Sequence, residues 1–393
     1  MRASPAARPD AIRRHNLALI LGHVHRDGAL TRAELTQRLG VSRSTIGVLV
    51  SDLIEHRLVE ESVPSGGAGV GRPSYVVGPH PHGPYVIAVD VTVTHFATAA
   101  VGIGGSILAR RTVPCGPEPP SPAEAADLIA AAVADLPDAT DRGCQARSVG
   151  VSVPGTIDRL TKRVGVAPNL GWRDAPLGEL LHERLGGRLP VEIGNDADLS
   201  VLAELRRGVA RGCEDVVYLI GRTGVGAGVV VNGAPVRGRD GRAGEVGHNV
   251  VDRQGPPCHC GKNGCLETFI GDAALLGLAG RRVEPTAQNV AEVFADARGG
   301  DRRAADAIRT LAASLGQAVG NLVNTLNPQR VILGGTFSGV LDLARSEVEE
   351  AVRVYAFDAG HPVELCTPQF GTDSALLGAA ELALTDLLAD PLG

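Results

Sequence analysis

The stretch Glu245–Glu267 constrains this chain more than any other. It runs Glu245-Val-Gly-His248, a short polar loop, then Cys258-His-Cys260-Gly-Lys-Asn-Gly-Cys265-Leu-Glu267. Three cysteines fall within eight residues, and His248 stands ten residues before the first. Three thiolates and one imidazole form the closed tetrahedral shell that structural zinc takes. Gly261 and Gly264 let the backbone turn round an ion, because glycine reaches positive φ without a Cβ clash. A metal-free loop or a disulfide is the competing reading. Cys-x-Cys closes poorly on itself, and three cysteines leave one unpaired. The expectation is one structural zinc per chain, held by Cys258, Cys260, Cys265 and a histidine. His248 is the expected fourth ligand, with His259 as its rival.

Such a loop matters for what it holds in place. Glu245, His248 and Glu267 are tied to one small segment, which brings two carboxylates and an imidazole near each other. Carboxylates accept hydrogen bonds from hydroxyl groups, and a polyhydroxyl ligand needs several acceptors at fixed angles. Two solvated loop glutamates are the alternative.

The pattern Glu245-x-Gly-His248 followed by Cys258-x-Cys260-Gly-x-x-Gly-Cys265-x-Glu267 resembles the signature of the ROK family of repressors, open reading frames and sugar kinases. The resemblance runs over roughly the whole chain. It implies that His248 and the three cysteines bind zinc, while Glu245, His248 and Glu267 face a sugar.

A chain of 393 residues exceeds one compact core, so two or three domains are expected. Hydrophobic residues make up 44% and charged residues 21%, as in soluble globular proteins. Met1–Asp10 carries no apolar run and no stretch is long enough to span a bilayer, so neither a signal peptide nor a membrane partner is expected. Seven cysteines, three of them clustered, fit a reducing, cytoplasmic compartment. Residues 1–78 hold ten arginines and seven acids, whereas the whole chain carries −6. A basic head on an acidic body points to an anionic partner for the head.

In that head, Leu17, Ile20, Leu21 and Val24 keep helical spacing over Ile12–His25. Thr31-x-x-Glu34 is a capping box for a second helix that ends at Gly40. Ser42 caps a third, with Ile46, Leu49, Val50 and Leu53 on one stripe. Two short helices around a tight glycine turn read as helix-turn-helix, and Leu58–Glu61 with Tyr75–Val77 read as the strands of a wing. The third helix opens Arg43-Ser44-Thr45, polar and basic residues that can reach base edges in a major groove. Any small helical domain with a polar outer face would look similar. The family's repressors carry such a head and its kinases lack one. Arg13, Arg14 and Asn16 can meet phosphates. Arg72, on Gly71-Arg72-Pro73, reads either as a minor-groove arginine or as a linker turn.

Beyond the Pro- and Gly-containing segment at 80–84, strands and helices alternate to the end, which argues α/β with covered sheets. The resemblance implies the two-lobed actin-like (ribonuclease-H-like) ATPase/sugar-kinase fold. The expected fold is thus an N-terminal winged helix-turn-helix over 1–78 and a sugar-binding body over 79–393. Lobe one takes about 84–195 plus a C-terminal helix, 374–388. Lobe two takes about 196–371, with the zinc loop at 245–267.

Asn195 and Asp196 end a strand and open a helix, where Asn and Asp also serve as plain caps. The family match adds them to the sugar set, with Asp196 as the proton acceptor if the body is a kinase. The first phosphate loop of the kinases reads Asp, any residue, Gly, Gly, Thr. Here it is Asp90-Val91-Thr92-Val93-Thr94, with β-branched residues where the glycines stand. These favour ordinary strand geometry over close approach to a triphosphate.

The expected function is a sugar-responsive DNA-binding transcriptional regulator, a repressor of carbohydrate uptake or metabolism genes. Its expected partners are operator DNA and a sugar or sugar phosphate. A homodimer or a dimer of dimers is expected, since such heads act in pairs. An ATP-dependent sugar kinase is the second reading, and a protein-docking module with a vestigial cleft is the third.

Overall fold

The computed structural model describes residues 9–63, 75–116, 118–136, 146–358, 360 and 363–393. Its head holds three helices: α1 (Pro9–Asp27), α2 (Arg32–Leu39) and α3 (Arg43–Glu55). Three short strands accompany them: β1 (Leu30–Thr31), β2 (Val59–Ser62) and β3 (Val76–Pro79). The capping box forms as the sequence implies. Glu34 N–H donates to Thr31 Oγ1 at 3.1 Å, and Thr31 N–H donates to Glu34 Oε2 at 2.7 Å. Gly40 ends α2 at φ 65°, a left-handed cap that only glycine adopts without strain. β2 and β3 pair antiparallel, with Glu61 opposite Val77, and β1 flanks β3. Helices and strands share one core of Leu17, Leu21, Leu35, Ile46, Val50 and Val77. This is a winged helix-turn-helix.

The segment expected as a linker is a packed turn. Gly83 N–H donates to His80 O at 3.0 Å, and a Cβ on Gly83 would lie 2.5 Å from Arg57 O. The head is also not a free bead, because Ile103, Leu387 and Leu388 of the body pack against its core.

The body contains two five-stranded sheets of the same plan. β4 (Tyr85–Val91), β5 (His95–Gly102) and β6 (Ile107–Pro114) form an antiparallel meander. β7 (Ala146–Val153) joins β4 in parallel. Three short strands, β8 (Thr156–Asp158), β9 (Arg163–Ala167) and β10 (Trp172–Ala175), make a side sheet. β11 (Val191–Asn195) then completes the order β11-β7-β4-β5-β6. The second sheet repeats this with β12 (Val216–Gly221), β13 (Val225–Val231), β14 (Ala234–Pro235), β15 (Arg330–Gly335) and β16 (Glu364–Cys366), in the order β14-β13-β12-β15-β16. Its meander is again antiparallel, and β15 and β16 again add in parallel. Duplication of one sheet plan is the two-lobed fold that the resemblance implies.

Helices cover both sheets. α4 (Pro122–Ala134) and α5 (Leu177–Arg184) lie on the outer face of the first. Its inner face meets α6 (Asp196–Arg207) and α12 (Ser374–Ala383). The outer face of the second sheet meets α7 (Glu267–Ile270), α8 (Asp272–Leu278), α9 (Ala287–Arg298), α10 (Arg302–Leu326) and α11 (Thr336–Tyr355). The C-terminal helix expected over 374–388 is two pieces, α12 and α13 (Thr385–Ala389).

α6 is the hinge-pin of the body. Leu199 and Ala203 pack with α12 and the first sheet, whereas Ala197 and Val201 pack on the second. Two glycines allow that close fit. A Cβ on Gly378 of α12 would lie 1.9 Å from Leu199 O, and one on Gly228 of β13 would lie 2.3 Å from Ala197 O. Glu204, fully buried on α6, accepts from Val209 N–H, Gln369 N–H, Phe370 N–H and Ser374 Oγ–H. Residues 196–207 therefore bind both sheets rather than one lobe alone.

Candidate functional site

Between the sheets lies a cleft of about 650 Å³. The C-terminal ends of β4, β11, β12 and β15 all reach it, as strand ends do in open α/β sheets. Its walls include Asp90, Asn169, Asp196, Arg222, Glu245 and Glu267.

Four ligand-type atoms gather on one wall. One donor atom from each of His248, Cys258, Cys260 and Cys265 lies within 4.8 Å of the others. His248 Nδ1 stands 3.6 Å from Cys258 Sγ, and Cys260 Sγ stands 3.6 Å from Cys265 Sγ. A tetrahedral ion with bonds of about 2.3 Å to sulfur needs sulfur–sulfur edges of roughly 3.8 Å, close to the Cys260–Cys265 separation, so the set could hold a metal. The same separation is far too long for a disulfide. Of the two histidine candidates His248 is in the cluster, whereas the exposed His259 lines the cleft outside it.

The cluster is bound to the cleft through Glu267. Its Oε1 lies 2.8 Å from Cys258 Sγ and 3.5 Å from His248 Nδ1. With Nδ1 turned to the sulfurs, Nε2 of His248 is the nitrogen left for a ligand. Glu245 lines the same cleft; burial raises its carboxyl above the usual range, His248 opposes this, and Glu267 adds to it.

Asp196 opens α6 inside the cleft. Burial pushes its carboxyl up to about 6, against the opposing charge of Arg222 and with help from Asp90 and Glu245. Asn195 is the N-cap of the same helix. Its Oδ1 accepts from Ala197 N–H and Asp198 N–H at 2.9 and 3.1 Å, and its Nδ2 donates to Gly155 O at 3.0 Å. The cap reading is therefore realised, and one amide hydrogen remains for a ligand.

Arg222 was not legible as a site residue. It sits on the turn between β12 and β13, with Nη1 3.8 Å from Asp90 Oδ2, and its charge also acts on Asp196 and Asp272. Asp90 is buried and accepts from Ser152 Oγ–H at 2.7 Å. The loop after it is an ordinary hairpin. Thr92 N–H and Thr92 Oγ1–H both donate to His95 O, at 3.0 and 2.7 Å.

Asp198, on the first turn of α6, is pushed up to about 6 by burial, against Arg237. Its folded value lies above the ordinary one, so its stabilising contribution is full at low pH and is lost as pH rises through about 6. Asp198→Asn should therefore stabilise the fold at pH 8, by about 3 kcal/mol at most. The gain should shrink below pH 6. Melting curves across pH 5–8 check this, and equal stability at pH 8 would contradict it.

On the head, Arg43, Ser44 and Thr45 are exposed at the N-terminus of α3, and Ser42 Oγ accepts from Thr45 N–H at 3.1 Å. Val48 is 61% exposed on the same helix, an apolar group the sequence reading passed over. Arg13 and Arg14 are engaged in ion pairs with Asp52 and Asp390. Arg72 lies outside the described residues.

Comparison with known proteins adds the following. Residues 86–386 match the profile of the ROK family, and residues 18–69 match that of the MarR family. The xylose repressor of Bacillus spizizenii is 29% identical over 384 residues, covering 96% of this chain and 97% of that protein. A ROK family glucokinase from Streptomyces griseus, solved with glucose and AMPPNP, is 31% identical with a TM-score of 0.66, covering 76% of this chain and 98% of the other. A ROK family transcriptional regulator, a homolog of the E. coli MLC protein, shares the fold across 97% of this chain and 98% of its own. Its TM-score is 0.76 at 23% identity.

Proposed function

This chain belongs to the ROK family, and from that premise we propose that it is a sugar-responsive transcriptional repressor. The observation that carries the proposal is the pairing, in one chain, of an exposed Arg43-Ser44-Thr45 helix end with a carboxylate-lined cleft. The full-length similarity to a xylose repressor supports it.

The sugar set is Asp196, Glu245, His248 and Glu267, with the free amide hydrogen of Asn195. Carboxylates at fixed positions accept from successive hydroxyls, and the His248 ring, with Nδ1 toward the cluster, donates its Nε2–H to a hydroxyl oxygen. His248, Cys258, Cys260 and Cys265 would hold a structural zinc, which supplies a rigid clamp for Glu267 and the His248 ring. A sugar alters operator affinity only to the extent that it prefers one arrangement of lobes and head. Arg43, Ser44 and Thr45 read base edges. Val48 offers an apolar contact of the kind that suits a thymine methyl. Paired heads require at least a homodimer. Val354, Tyr355 and Phe357, exposed by 66%, 44% and 97% at the end of α11, support self-association there. Among the described residues no helix is long and apolar enough to cross a membrane, and operator binding supports a cytoplasmic site of action.

A sugar kinase is the second reading. Gly335-Thr336 at the opening of α11 and the glucokinase relative favour it. Two features oppose it. The Thr92 N–H that would meet phosphate is bonded to His95 O, and Arg222 already answers Asp90 and Asp196 with positive charge. Incubation with ATP, Mg²⁺ and a panel of aldoses including xylose and glucose should release no ADP above background. Turnover near 1 s⁻¹ or faster, the ordinary enzyme range, would reverse the order of the two readings.

A further inference from the structure

We propose that the cavity at the seam between head and body is a second ligand site, built for a small dianion carrying a phosphoryl group. The cavity measures about 720 Å³, within the range of small-metabolite sites. Arg26 and Arg38 enter it from the head, and Arg159, Arg206, Arg211 and Arg237 enter it from the body. Among the described residues, two carboxylates line it, Asp27 and Asp198.

The carboxylates do not balance the arginines. Asp27 is bound by Arg38 from one side and Arg211 from the other, so one carboxylate serves two guanidiniums across the seam. Among the described residues, the Arg26 guanidinium has one hydrogen bond, with His23 Nδ1 at 3.4 Å. Among the described residues, no side-chain hydrogen bond or ion pair within 4 Å involves the guanidinium of Arg159, Arg206 or Arg237. Two groups register the resulting field. Burial, then Arg26 and Arg38, hold His23 below its ordinary value. Burial, then Arg159, lower Arg237 even though Asp198 opposes them.

Guanidinium forks match phosphate oxygens in pairs, and several forks around one dianion give both charge and geometry. A phosphoryl group between Arg159 and Arg237 would relieve their mutual repulsion and leave Arg26 and Arg38 within reach from the head side. The cavity shares Asn195 and Asp198 with the cleft, so the first turn of α6 is a wall common to both. An occupant therefore ties the head to the helix that opens with Asp196 of the sugar set. Binding of the anion stands on the cavity alone; its effect on operator affinity rests on the repressor reading.

The test is a melting series on the full-length chain. Inorganic phosphate and glycerol 3-phosphate are compared with sodium chloride at matched ionic strength, which separates free phosphate from a phosphate ester. At least one should raise the melting temperature by about 2 °C or more. Arg159→Gln combined with Arg237→Gln should remove that rise while keeping the shift induced by a sugar in the cleft, which also shows that the variant folds. Arg237→Lys, which keeps charge and loses the fork, should weaken the response. No rise beyond chloride, or a rise undiminished in the double variant, overturns the proposal. A double variant that instead loses non-specific DNA affinity also overturns it, because the arginines would then serve the DNA backbone.

Discussion

Glu381→Ala should destabilise the fold by about 3–5 kcal/mol and uncouple the head from the sugar cleft. Glu381 is the buried centre of a three-residue latch. His25 Nε2 lies 2.9 Å from its Oε2, and Arg207 Nε lies 2.6 Å from its Oε1. Gly104 N–H donates to His25 Nδ1 at 2.9 Å, so the ring proton sits on Nε2 and points at Glu381. Burial alone would raise the Glu381 carboxyl, yet the His25 hydrogen bond and the Arg207 charge hold it below the usual range. Truncation leaves a buried guanidinium and a buried imidazole without their acceptor, which is the expensive way to break such a set. The latch also joins three parts of the molecule. His25 is on α1 of the head, Glu381 on α12, and Arg207 at the end of α6. α6 has twelve residues, about 18 Å, and Asp196 opens its other end in the cleft. Melting curves should show the loss of stability. Operator titrations should show that sugar no longer changes DNA affinity. A variant that melts like the parent, or that keeps its full sugar response, would contradict this role.

Removing the metal, or replacing Cys265 with serine, should weaken sugar binding roughly tenfold to a hundredfold. That range follows from losing one charge-assisted hydrogen bond, worth about 1.5–3 kcal/mol. Glu267 is the link, since it stands two residues after Cys265 and opens α7, so the loop that carries the cluster also sets the start of that helix. Without the clamp the Glu267 carboxylate and the His248 ring would lose their fixed angles to the hydroxyls. Cys265 is fully buried, so its loss should also open the loop. Operator affinity without sugar should stay near the parent value, because no part of the cluster touches α1, α2 or α3. Elemental analysis of the purified protein, followed by calorimetric titration of xylose and glucose before and after chelation, checks the chain of cause. Metal-free protein that binds sugar as tightly as the parent would break it.

The local parts of the fold were legible because local chemistry fixes them. Thr31 with Glu34 and Ser121 with Glu124 form reciprocal caps at helix starts. The α10 stripe, from Ile308 through Leu315 to Leu322, is long enough for period to decide helix. The side sheet β8–β10 was not legible. Its strands are three to five residues long, and the turn between β8 and β9 uses Lys162 at positive φ, where glycine would have flagged it. α8 and α9 were missed because Gly, Pro and charged residues interrupt the apolar pattern at 277–286.

The candidate site divides in the same way. The four residues of the His/Cys cluster lie within one short segment, and spacing was enough to group them. Arg222 could not be grouped with Asp90, Asp196 and Asp272, because no local pattern joins residues that meet only when β4, α6, β12 and α8 converge. His25 read as the polar end of a helix, and its partner Glu381 is 356 residues away. Asn195 carried two meanings at once, cap and ligand, and the cap takes most of its hydrogen-bonding capacity.

The repressor reading is tested most directly by a paired titration. An operator duplex selected by the protein from a random pool is titrated with and without saturating sugar, and the sugar is titrated with and without the duplex. Linkage requires the two affinities to change by the same factor, expected at about 5- to 150-fold. Sugar affinity that is identical with and without the duplex would contradict the account.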